Sequence, residues 1–170
     1  TSTSTSTSTG TSTGTSTGTS TITISIPIKP FPGVMGVAPA TEEMLRTRPP
    51  RENGGNMDDK HMTEGTVVYF PILVEGALFS IGDTHAAQGD GEVSGIAIEA
   101  PMRIVYQLDV IKGGRTIPEP QYETDEFYAV TAFAPTIDEA ARKATRFMID
   151  YLVDEHHMEP TEAYSLCSLA

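Results

Sequence analysis

The hydrophobic period of the chain changes at Thr136, and that change does most to limit what it can fold into. From there on, Ile137, Ala140, Ala141, Ala144, Phe147, Met148, Tyr151 and Leu152 recur every three or four residues, which lines them along one face of an α-helix. Thr136 and Glu139 form a Thr-x-x-Glu capping box, a pairing that satisfies free N–H groups of a first turn. The spacing predicts one amphipathic helix over Thr136–Asp154, with Phe147, Met148 and Leu152 buried against a sheet. Pro160 suits a first helical turn and starts a second predicted helix, through Tyr164 and Leu166 to the last residue, Ala170.

Upstream of Thr136 the period is two, the period of β-strands. Ile22, Ile24, Ile26 and Ile28 give a one-sided strand that ends at Pro30. The run "TVVYFPILVEGALFSIGD", residues 66–83, is dense in β-branched and aromatic residues and broken by Pro71 and Gly76. It reads as two strands with little solvent contact. Between 92 and 113, Ile96 and Ile98 recur with a period of two, and Ile104, Tyr106, Leu108 and Val110 alternate with Arg103, Val105, Gln107 and Asp109; both patterns predict strands. "EFYAVTAFA", 126–134, adds another. The class that follows is mostly β, an α+β chain with its helices at the C-terminal end.

Composition narrows the function. A length of 170 residues with 38% hydrophobic content supports one globular domain, assigned to 22–170. Residues 1–21 form a separate Thr/Ser tract in which every odd position is Thr. It reads as a linker or an unassigned strand and carries no functional signal. The net charge of −12, without a Lys/Arg cluster, argues against phosphate backbones and anionic membranes as partners. No apolar run is long enough to span a bilayer, and a basic-then-apolar leader is lacking, so the expected location is cytoplasmic. The single cysteine, Cys167, reads as a small apolar residue.

Chemistry concentrates in "GDTHAAQGDGEVSG", residues 82–95. Asp83 and His85 are two apart, as are Asp90 and Glu92, so on extended backbone each pair points the same way and can converge on one ion. The intervening glycines let the backbone turn tightly around such a point. Oxygen ligands with one imidazole suit Zn²⁺ in an open site, whereas an all-oxygen subset suits Ca²⁺. A second polar loop, "RTRPPRENGGNMDDK" at 46–60, offers Glu52, Asn53, Asn56 and Asp58 as amide-recognising groups or further ligands. If the two loops form one site, they must meet in space across some thirty residues of sequence.

The stretches "KPFPGVMGVAPA", "RENGGNMD", "GALFSIGDTHAAQGDGE" and "TIDEAARKATRFMIDYLVDEHHMEPTEAYSL" together resemble the acetamidase/formamidase family of amide hydrolases, over about residues 24–170. The resemblance implies a two-layered, β-sandwich-like core with C-terminal helices. It also implies hydrolysis of formamide or acetamide to the acid and ammonia, with a divalent metal at the site. On that basis Asp83, His85 and Asp58 are assigned to the metal, Glu92 to general base, Asp90 to ligating or orienting, and Gln88 to an oxyanion donor. Glu52, Asn53 and Asn56 are assigned to the small amide substrate. A homo-oligomer, dimer or higher, is expected. The alternative reading is a self-assembling structural protein that keeps the fold without catalysis.

Overall fold

The computed structural model describes residues 6–10 and 22–170. Most of the expectation for the Thr/Ser tract therefore lies outside the described residues. Within it, β1 (Ser6–Gly10) pairs antiparallel with β2 (Ile22–Ile26).

Two further antiparallel sheets make the body. One has the order β4 (Gly54–Asn56), β3 (Phe31–Gly36), β6 (Ser80–Ala87) and β7 (Ile98–Glu99); the other runs β5 (Val67–Tyr69), β8 (Gln121–Glu123), β9 (Tyr128–Val130). Alternation along β3 sends Phe31, Gly33 and Met35 inward. Met35 meets Met62 and Tyr122 in a buried cluster, packed round by Met57, Val68, Phe70, Phe79, Ile81 and Ala129. This cluster draws on both sheets, so the core lies between two layers, the arrangement of a β-sandwich. Between residues 66 and 110 the only helical element is the 3₁₀ turn Asp90–Glu92.

The helices close the C-terminal end as α1 (Ile137–His156) and α2 (Pro160–Leu166). The Thr136 hydroxyl accepts from the Glu139 N–H at 3.3 Å, and the chain leaves α1 through His157 in a left-handed conformation. Tyr151 of α1 stacks on Tyr128 of β9 with ring centroids 3.8 Å apart. Below the helix, buried Glu119 accepts from the Phe133 N–H at 2.8 Å and from Lys143 of α1.

Four expectations need correction. Phe147, Met148 and Leu152 are half-buried rather than buried, because α1 rests on the β9 edge of a three-stranded sheet and not across a broad face. Helix α2 ends at Leu166, and residues 167–169 form turns. The alternating segment 103–111 is not a strand. Alternation records which way side chains point on extended backbone, whereas a strand also needs a partner for its N–H and C=O groups, and no described residue supplies one. The run 66–83 does give two strands, yet Val67, Ile72 and Leu78 are each about half exposed or more. None of the described helices is long and apolar enough to cross a membrane.

Candidate functional site

His85 sits on β6 between its two neighbours, opposite Phe31 of β3 and Glu99 of β7. The residue is 1% exposed, and its ring lies edge-on to Phe31, with centroids 5.1 Å apart. The ring is also fixed by hydrogen bonds. Nδ1 is 3.0 Å from Gln88 Oε1, while Gln88 Nε2 donates to the Asp58 carbonyl at 2.6 Å. A carbonyl can only accept, so the Gln88 amide nitrogen must face Asp58 and its oxygen must face the ring. Nδ1 therefore carries the proton. In the neutral ring Nε2 is left with its lone pair, pointing between Asp83 Oδ1 at 3.5 Å and Glu99 Oε2 at 3.4 Å.

More carboxylates gather around this ring than one histidine can balance. Asp58, Asp83 and His85 offer ligand atoms within 4.8 Å of one another, and so do His85, Glu92 and Glu99. Burial, followed by the negative charge of Glu92, pushes the Asp58 carboxyl up to about 6. Asp58 Oδ1 is buried with no hydrogen-bond partner among the described residues. Acidic oxygens gathered around one imidazole, one of them buried without a partner, are of the donor type that a divalent cation takes, so the residues present fit such an ion.

The backbone is shaped to this cluster. The Asp58 N–H bonds the Gly33 carbonyl at 3.0 Å, tying the loop after β4 to β3. Gly33 forms the floor: a Cβ there would lie 2.6 Å from Asp58 Oδ1 and 2.8 Å from His85 Cε1. Asp58, Asp83 and Glu92 all have positive φ, at 46°, 53° and 41°, the left-handed region that L-residues rarely occupy. A cleft of about 270 Å³ beside α1, lined by Arg115, Gln121 and Asp150 among others, shares no residue with the cluster.

The two polar loops therefore meet through Asp58, Gln88, His85 and Glu92. The other assigned residues fall elsewhere. Asp90 sits on the surface, where its carboxylate pairs with Lys60 at 2.6 Å and is held below the usual carboxylate range by that partner. Gln88 belongs to the cluster instead, where it positions the His85 ring, with Oε1 at Nδ1 and Nε2 donating to the Asp58 carbonyl. Asn53 donates to the Val37 carbonyl at 2.7 Å, a bond that shapes the turn. Glu52 is exposed, and Asn56 lies in β4 opposite Val34; among the described residues neither makes a side-chain hydrogen bond to the cluster. Sequence reading missed Glu99, which register alone brings opposite His85. It also missed Gly33, although a glycine inside a strand signals a close approach.

The sequence pattern of the acetamidase/formamidase family matches residues 40–170. An acetamidase of Mycolicibacterium smegmatis is 53% identical over 70 residues, covering 41% of this chain and 17% of that protein. A formamidase of Methylophilus methylotrophus is 45% identical over 76 residues, covering 44% and 19%. A recombinant predicted acetamidase/formamidase from Thermoanaerobacter tengcongensis superposes with a TM-score of 0.78 at 37% identity, over 84% of this chain and 46% of the other. The chain thus spans about half of that solved relative, and the matches cover under a fifth of each curated one. Its sandwich, helices and matched sequence place this chain in the acetamidase/formamidase family.

Proposed function

We propose that the chain carries a cation-assisted site for hydrolysing small linear amides, formamide or acetamide, to the acid and ammonia. The observation behind this reading is the convergence of Asp58, Asp83, Glu92 and Glu99 around the His85 ring, with Asp83 and Glu99 nearest its Nε2. His85, Asp83 and Asp58 would hold the ion, with Zn²⁺ favoured over Ca²⁺ by the imidazole. When bound, a divalent cation polarises a carbonyl and makes water more acidic.

The protein's own groups divide the remaining work. Gln88 and Phe31 hold the His85 ring in one orientation and one tautomer. Glu92 is half-exposed at the edge of the cluster, where it can take a proton from the attacking water and return it to the departing nitrogen. The unprotonated amide anion is a poor leaving group, so this returned proton is needed for the C–N bond to break with departure of ammonia.

The test combines metal analysis with ammonia release from formamide and acetamide. His85→Ala should lose bound metal and turnover together, with partial recovery at high metal concentration. Glu92→Gln should keep its metal while kcat falls by about 10²- to 10⁴-fold. If neither substitution changes metal content or turnover, the cluster is not an active centre.

A further inference from the structure

The cleft of about 270 Å³ beside α1 is lined by groups of opposite charge. Its sheet side contributes Arg115, which precedes β8, and Gln121 of β8; α1 contributes Phe147, Asp150, Val153 and Asp154. Gln121 is 1% exposed. Its Oε1 accepts from Arg115 Nη2 at 2.6 Å and from the Tyr128 hydroxyl at 2.5 Å. A guanidinium can only donate, so the amide oxygen must be the atom at Arg115. That leaves Nε2 buried with no hydrogen-bond partner among the described residues. A buried donor in that state costs free energy until an acceptor reaches it.

Arg115 is fixed in place as well. Its Nη2 also donates to the Tyr128 hydroxyl at 3.0 Å, its Nε donates to Glu155 at 3.3 Å, and its guanidinium lies 5.1 Å from the centre of the Tyr151 ring. Among the described residues these bonds leave Nη1 without a partner. Asp150 and Asp154 lie one turn apart on one face of α1, a spacing at which like charges repel. Neither has an ion-pair partner among the described residues.

We propose that this cleft binds a free α-amino acid with an apolar side chain. Arg115 Nη1 and Gln121 Nε2 take its carboxylate, Asp150 and Asp154 take its ammonium group, and Phe147 and Val153 receive its side chain. An anion alone would leave the two acids unbalanced, and a cation alone would leave Nε2 unpaired, so the lining selects a zwitterion. The volume lies just under the roughly 300 Å³ at which pockets for drug-sized ligands begin, which suits a molecule this small. None of these residues belongs to the His85 cluster, so binding here can be measured apart from any cation.

The test is isothermal titration calorimetry of the 170-residue chain near neutral pH with L-leucine, isocaproate, which lacks the ammonium group, and isoamylamine, which lacks the carboxylate. Leucine should bind with a Kd of about 1 mM or tighter, and each analogue about 10-fold more weakly or worse, since each loses its charge-assisted hydrogen bonds at one end. Gln121→Glu keeps an acceptor for Arg115 and Tyr128 but turns the free donor into an acceptor, so leucine affinity should fall by about 10-fold or more while circular dichroism shows the fold retained. The double variant Asp150→Asn/Asp154→Asn, at exposed positions of α1, should weaken leucine and leave isocaproate unchanged or tighter. It decides the matter if Gln121→Glu does not fold. No binding of leucine, equal affinity for leucine and isocaproate, or a double variant that binds leucine as the unaltered chain does would each overturn the proposal.

Discussion

Gly33→Ala is the most direct test of how the cluster is built. The added methyl would sit 2.6 Å from Asp58 Oδ1, 2.8 Å from His85 Cε1 and 3.1 Å from the Asp83 carbonyl oxygen. Ordinary contact needs several tenths of an ångström more at each, and all three neighbours belong to the site. His85 cannot retreat, because Gln88 and Phe31 hold it, so Asp58 must move. Overpacking of this kind costs about 1–3 kcal/mol, which for a domain of this size lowers Tm by roughly 3–10 °C. Displacing a ligand should weaken cation binding by about 10- to 100-fold. With the cation at about 100 times its Kd, binding stabilises the native chain by about 2.7 kcal/mol; a site weakened about thirtyfold retains about 0.9 kcal/mol. Thermal melts with Zn²⁺ and with chelator separate the two effects. Gly82→Ala, on the neighbouring strand β6 with nothing within 4 Å of its Cβ, is the control and should change little. Equal zinc-induced shifts in Gly33→Ala and Gly82→Ala would refute the reasoning.

Other outcomes follow from the same geometry. Gln88→Leu removes the group that fixes the His85 tautomer, so zinc affinity measured by calorimetry should drop roughly 10-fold with the fold intact. Asp90→Asn should leave zinc affinity and ammonia release within about twofold, because its carboxylate faces Lys60. A larger loss would return Asp90 to the site. Lys143→Met strands the buried Glu119 carboxylate under α1. With Lys143 itself partly exposed, denaturant melts should show a loss of about 1–3 kcal/mol, and an unchanged midpoint would mean that the pair does not hold the helix.

The α1 boundaries were readable in the sequence because a capping residue and a 3.6-residue period are both local signals. Asp58, Asp83, His85 and Glu92 could be nominated for a similar reason, since acidic and imidazole side chains set among glycines stand out in composition. Their mutual placement could not be read. Glu99 joins the site only because β7 registers against β6 opposite His85, and register is a property of paired strands. Asp90 looked equivalent to Glu92 until Lys60, thirty residues away, took its carboxylate. Asn53 and Gln88 were legible as polar groups, but not as groups already committed to Val37, His85 and Asp58. Alternation in 103–111 was real, yet it carries no information about whether a partner strand exists.

The left-handed conformations of Asp58, Asp83 and Glu92 have a consequence for inheritance. The cost is up to about 1–2 kcal/mol at Glu92 and smaller at Asp58 and Asp83, because aspartate visits this region more readily. Glycine or asparagine at any of the three would relax the backbone and remove a negative charge from a crowded cluster. Under selection for folding alone, substitutions that erase the site thus run downhill in free energy, so retention of all three acids in a lineage would itself measure continued selection for what they do.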